Sequence, residues 1–177
     1  MMGFGGSSGR TISMDQAQQS VQSFLDRSGN RDLHIDELME FDQNFYALIK
    51  EQSTGIGAFE LLVNRTNGDV AYEPGPDMAW NAKYGMMRGV GGMMNIRSTS
   101  GAMILSPERA AQIAQGWLDQ RGGSYSAGTP DAFYGYYTFH FLKDGRISGM
   151  MSINGSSGQV WFHSWHGSFI QGRDFGA

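Results

Sequence analysis

Four histidines, His34, His140, His163 and His166, are the strongest metal-ligating candidates in the chain, and two of them stand three apart in His163-Ser-Trp-His166. Imidazoles are good ligands for borderline and soft cations. On a continuing strand, residues three apart point to opposite faces, so this pair could share an ion only if the chain turns at Ser164. The twelve methionines add soft donors, with doublets at Met86-Met87, Met93-Met94 and Met150-Met151. Thioether and imidazole without thiolate suit Cu(I). A copper site would draw on His140, His163, His166, Met86, Met87, Met93, Met94 and Met150. The plainer expectation is no cofactor: methionine fills irregular gaps, and a strand end with one packed and one exposed histidine needs no ion.

Catalysis is not expected. No Ser–His–Asp order and no paired-carboxylate pattern stands out, and Gly89-Val-Gly-Gly92 lacks the lysine and following helix of a phosphate loop. The acidic run Asp32, Asp36, Glu37, Glu40, Asp42 lacks the alternating ligands and central glycine of a calcium loop. It reads as a solvated polar connection. A net charge of −4 without a basic stripe speaks against nucleic acid as a partner. No apolar run approaches the roughly 18–20 residues of a membrane span. With no cysteine there is neither a disulfide framework nor a thiolate site.

The elements that must position these residues are repeated. At a fixed offset of 93, residues 12–29 match 105–122 through Ser13/Ser106, Ala17/Ala110, Val21/Ala114, Phe24/Trp117, Leu25/Leu118, Asp26/Asp119 and Gly29/Gly122. Both copies place apolar residues at i, i+4, i+7 and i+8, the stripe of an amphipathic helix. Ser13 with Gln16 fits a capping box, Ser106 precedes Pro107 at the first helical position, and each helix stops at a glycine. Strand-like segments come next at 45–51, 58–64 and 69–73, and again at 134–142, 147–153 and 159–163. Asn64-Arg-Thr-Asn-Gly68, Lys143-Asp-Gly-Arg146 and Asn154-Gly-Ser-Ser-Gly158 supply turns.

A helix opening Ser-x-Glu/Asp-x-Ala, a Tyr-led strand, a strand ending Asn-x-x-x-Gly and a Val-led strand together resemble the PepSY domain family over residues 12–73 and 105–163. The resemblance implies a small non-catalytic binding or regulatory domain that recognises a protein or peptide outside the cytoplasm. The chain is then expected to be periplasmic or secreted, with its leader removed. The expected fold is α+β: two tandem repeats, each one N-terminal helix packed on a three-stranded antiparallel meander.

The expected boundaries are a Gly/Ser tail at 1–11, a first unit at 12–76, a Met/Gly-rich connection at 77–104, a second unit at 105–170 and a tail at 171–177. Units this small leave much surface wet and are expected to pack on each other. Period-two alternation puts Tyr137, Phe139, Phe141, Met151 and Ile153 on the face meeting the second helix. The opposite face carries Tyr136, His140, Met150, Trp161 and His163, too apolar and aromatic for open solvent. Either the two sheets or the connecting segment cover it, or it forms a partner groove. In the second reading Tyr136, His140, Met150, Trp161, His163 and Trp165 are the partner-binding residues.

Overall fold

A computed structural model describes residues 10–85 and 103–176. The architecture is α+β, with an N-terminal helix and two five-stranded antiparallel sheets. Helix α1 (Met14–Ser28) begins with the capping box: Ser13 Oγ accepts from Gln16 N at 3.1 Å and Ser13 N donates to Gln16 Oε1 at 2.8 Å. It ends at Gly29, whose φ of 70° is open to glycine at no steric cost. Its buried stripe is Met14, Ala17, Val21 and Leu25.

The first sheet has the order β10-β1-β2-β3-β4, formed by β1 (Leu33–Phe41), β2 (Phe45–Glu51), β3 (Gly57–Val63), β4 (Val70–Tyr72) and β10 (Phe169–Asp174). Helix α2 (Asp77–Trp80) is a single turn. Helix α3 (Pro107–Arg121) is capped by Ser106, whose side chain accepts from Arg109 N at 3.2 Å. The second sheet runs β5 (Tyr125–Ala127), β7 (Tyr136–Lys143), β8 (Arg146–Asn154), β9 (Val160–Phe162), and β6 (Asp131–Ala132) also pairs with β7.

Three apolar layers result. Helix α1 packs on Leu38, Ala47, Ile49, Leu61 and Val63. Helix α3 packs on Tyr137, Phe139, Phe141, Met151 and Ile153. Between the sheets lies a third layer of Met39, Phe41, Tyr46 and Leu48 against Phe133, Tyr136 and Met150. Strand alternation sends consecutive residues to opposite sides of each sheet, so the order is helix, sheet, sheet, helix. Lys50 ties the sheets at the rim, bonding Asp36 at 2.7 Å and Asp131 at 3.0 Å. Glu51 accepts from Tyr134 at 2.6 Å and also from Tyr84 and Lys83.

Local details recur in the two halves. Gln22 bonds Asp26 at 2.9 Å and Gln115 bonds Asp119 at 2.8 Å, each across one helical turn. Asn64 Oδ1 accepts from Thr66 N and Asn67 N, as Asn154 Oδ1 does from Ser156 N and Ser157 N. Ile12 N donates to Arg65 O at 2.8 Å, and Leu105 N to Gly155 O at 2.9 Å.

The strand count departs from the three-stranded meander expected. Of the acidic run read as a solvated connection, Asp36, Glu37 and Glu40 instead lie within β1, with Asp32 just before it and Asp42 just after. A bulge between Ile35 and Glu37 breaks the period-two pattern there. Its acids also find partners: Asp36 has Lys50, and Glu40 has Arg65 at 2.9 Å and Gln171 at 2.6 Å. The tail expected at 171–177 contributes Gln171–Asp174 to β10, because the outer edge of β1 offers a register from Glu37↔Asp174 to Phe41↔Phe169.

Candidate functional site

Between the sheets, beside the Tyr46 and Tyr136 rings, lies a sealed cluster of ionisable side chains. Glu60 comes from β3, Glu73 follows β4, Asp77 opens α2, and His163 and His166 follow β9. All five are buried, none more than 4% exposed. The chain does turn after His163, and this brings its ring within 5.6 Å of that of His166, centroid to centroid.

Glu73 is the centre of the cluster. Its Oε1 lies 3.3 Å from His163 Nδ1 and 2.8 Å from His166 Nε2, and it accepts from Trp165 Nε1 at 3.1 Å. The imidazole contacts are close but out of line with hydrogen-bond geometry, and Glu73 Oε2 and Asp77 Oδ1 are buried without a hydrogen-bond donor. Ser152 Oγ donates to Asp77 Oδ2 at 2.8 Å, so its 2.8 Å contact with His163 Nε2 must be an N–H donated by the ring. Asn44 Nδ2 donates to Trp165 O at 2.9 Å, which turns Asn44 Oδ1 to accept from His166 Nδ1 at 2.9 Å. Both rings are thus oriented by their far nitrogens.

The electrostatics follow from burial and pairing. Burial opposes charging His163, but Glu73 and Asp77 outweigh it and hold its pKa up at about 10. Burial likewise opposes ionising Glu73, yet His163 and His166 bring it down to about 2. Among the described residues Glu60 has no ion-pair partner. Burial, then the Glu73 and Asp77 charges, push its carboxyl well above the usual range. It bonds Tyr46 at 2.8 Å and Tyr136 at 3.0 Å, one tyrosine from each sheet.

A different feature is open to solvent. Helix α1 and edge strand β4 flank a groove made of two adjoining depressions of about 470 and 490 Å³. Gln16, Ser20, Asn67 and Asp69 line the polar part; Phe24, Phe59, Tyr72 and Tyr84 line the aromatic part; Arg27 and Val70 belong to both. Tyr72, 41% exposed, stands edge-on to Phe24 at 5.7 Å and to Phe59 at 5.2 Å. Asn64 N bonds Asp69 O and Glu73 N bonds Glu60 O. Antiparallel alternation then leaves the main-chain groups of Val70 and Tyr72 directed away from β3. The corresponding space between α3 and β9 is smaller, two depressions of about 290 and 330 Å³, and the Arg121 guanidinium lies over its aromatic part, 4.0 Å from the Trp117 ring and 5.0 Å from that of Phe162.

The residues expected to bind a partner sit mainly in the closed interface. Tyr136, Met150 and His163 are buried there, covered by the first sheet. His140 is partly covered and meets Glu37 at 3.5 Å. Trp165 stacks on His163 with centroids 4.9 Å apart. Trp161 stays 38% exposed at the rim, packed over Gly75. Among the described residues of the copper set, only His163 and His166 come together, and their common neighbour is the Glu73 carboxylate. Met150 lies in the apolar layer, and Met86, Met87, Met93 and Met94 fall outside the described residues. Sequence reading missed Glu60, Glu73 and Asp77, because isolated acids near strand ends carry no periodic signal. It also missed the groove, although Phe24 was visible as a member of the repeat.

No protein-family model matches the chain, and no curated protein does. Among solved structures, the chain is similar to the Bacillus megaterium YpeB C-terminal domain at 18% identity and a TM-score of 0.30, over 86% of this chain. The chain spans 62% of that protein's length. Among the described residues, no helix is long and apolar enough to cross a membrane.

Proposed function

We propose that the chain is a non-catalytic binding or regulatory module that holds an extended segment of a protein or peptide partner in the groove between α1 and β4. The groove is the observation that carries this reading. An edge strand with outward main-chain groups, beside a helix and an aromatic floor, suits an added strand whose side chains enter pockets. Arg27 stands between the two depressions, and among the described residues its side chain has no partner. The occupant is therefore an extended apolar segment that carries a carboxylate. The absence of catalysis in this reading is supported by the burial of the acid–histidine cluster.

In this reading the two helix-and-sheet halves descend from one PepSY-like unit, which explains the matched caps, turns and helix-surface pairs. The second depression is narrowed by Arg121, and the first is the roomier of the two. Work outside the cytoplasm rests on the sequence resemblance alone.

The test uses a panel of alternating apolar hexapeptides, each made with a free carboxyl terminus and with an amide. Backbone amide spectra should shift at residues 16–28 and 67–72, more strongly for the acids. Tyr72→Ala and Arg27→Ala should each weaken binding about tenfold, the scale of one good interface contact. Shifts elsewhere in the chain, or none at millimolar peptide, would reject the groove.

A further inference from the structure

We propose that Glu73, His163 and His166 form a binding site for a borderline divalent cation of the zinc type, closed between the two sheets. This inference is independent of the peptide groove. It differs from a soft copper site in its donors: one carboxylate and two imidazoles, with neither thioether nor thiolate.

The three ligand atoms lie within 4.8 Å of one another. A tetrahedral zinc ion with bonds of about 2.0–2.2 Å requires donor separations of about 3.3–3.5 Å. The separations across Glu73 Oε1, 3.3 Å to His163 Nδ1 and 2.8 Å to His166 Nε2, need only small adjustments. Both ring nitrogens and Glu73 Oε2 are buried without a hydrogen-bond partner, so unmet polar capacity converges on one point. Buried polar groups are nearly always satisfied, and a convergent set of exceptions indicates a missing partner.

The outer contacts argue the same way. A metal-bound imidazole characteristically donates its other N–H to a carboxylate or carbonyl oxygen, which fixes the tautomer and aims the ligand nitrogen. His166 Nδ1 does this with Asn44 Oδ1 at 2.9 Å. His163 Nε2 makes the equivalent bond to Ser152 Oγ at 2.8 Å, backed by Asp77 at 3.4 Å. The remaining nitrogen of each ring then faces Glu73, and binding the ion would displace the proton that His163 Nδ1 carries. Asp77 Oδ1, buried and without a donor, offers an acceptor to a water in the fourth position. A plain ion pair of two imidazoles with one carboxylate would leave Glu73 Oε2 and Asp77 Oδ1 unsatisfied.

The ligands come from the end of the first half and the end of the second, so the ion would staple the sheets together. Because the site is sealed, the test includes protein refolded from denaturant after chelator treatment, with and without Zn2+. Refolded wild-type chain should retain one Zn2+ per molecule through dialysis and unfold at a higher temperature than the metal-free form. Co2+ in its place should give the visible bands of a four-coordinate ion. Asn44→Ala, which removes the His166 orienter together with its bond to Trp165 O, should weaken Zn2+ binding about tenfold to a hundredfold. His166→Ala should abolish uptake. If that variant fails to fold, the wild-type titration still decides. The proposal is overturned if neither native nor refolded wild-type chain takes up Zn2+ or Co2+. It is equally overturned if folded His163→Ala and His166→Ala chains bind as tightly as wild type.

Discussion

Tyr136 of the second sheet donates its hydroxyl to Glu60 of the first at 3.0 Å, and Tyr46 holds the other oxygen of the same carboxyl at 2.8 Å. One acid therefore satisfies a tyrosine from each sheet at the centre of the molecule. Tyr136→Phe leaves Glu60 short of a donor in a dry site, at an expected cost of about 1–3 kcal/mol in urea unfolding. Burial already keeps Glu60 from ionising, so Glu60→Gln should cost clearly less than Glu60→Ala. Equal losses would show that the carboxyl is charged.

Glu37 and His140 face each other across the same interface and titrate in opposite senses. Burial first, then Asp131, Asp174 and Asp36, hold Glu37 up at about 8 from 4.5. Burial above all brings His140 down to about 4 from 6.5. A raised acid contributes stability that is full below pH 4.5 and lost as pH rises through 8. A depressed histidine contributes stability present above pH 6.5 and lost as pH falls towards 4. The two slopes cancel between 4.5 and 6.5, so from this pair stability should fall only from 6.5 to 8 and again at acid pH. The loss from 6.5 to 8 should be about 1–2 kcal/mol, since one unit is about 1.4 kcal/mol. Glu37→Gln should flatten that upper limb in urea midpoints, and an unchanged limb would exclude Glu37 as its source.

Strand β10 closes the outer edge of β1 and reaches back to α1, where Arg173 bonds Asp15 at 2.9 Å and Gln18 at 2.6 Å. Truncation after Ser168 removes this cover and uncovers Met39 and Phe41. An open edge strand is a template for pairing with another chain. The truncated protein is expected to self-associate in size-exclusion chromatography and to exchange the β1 amides faster. A monomer with protected β1 amides would show that β10 is dispensable.

The Arg121 side chain lies over the Trp117 and Phe162 rings and narrows the second helix–strand depression. Arg121→Ala should cost about 0.5–1 kcal/mol of stability, the usual scale of an exposed cation–π contact. It should also let the hexapeptides that enter the first groove shift amides of α3 and β9. No new shifts there would mean that the two depressions differ in more than this one residue.

Features carried by local sequence are legible in the chain itself. Ser13 and Ser106 start the two helices because capping is settled within four residues. Gly29 and Gly122 stop them, and Asn64 and Asn154 shape their turns through their own side chains. The alternation in 136–142 separates helix-facing from interface-facing residues correctly, since a strand has only two sides. The same logic flags His140, Met150 and His163 as too apolar or too specialised for open solvent.

Tertiary structure alone decided what those residues meet. Strand β1 was hidden because a bulge broke its period and its acids looked solvated, until Lys50, Arg65 and Gln171 arrived from elsewhere in the chain. β10 exists because the β1 edge is there to receive it. Glu60, Glu73 and Asp77 join His163 and His166 only when two sheets built from different parts of the chain close face to face. Periodicity tells which side of an element is buried; it carries no information about which distant charge will lie opposite, and that juxtaposition creates both the sealed cluster and its proposed cation.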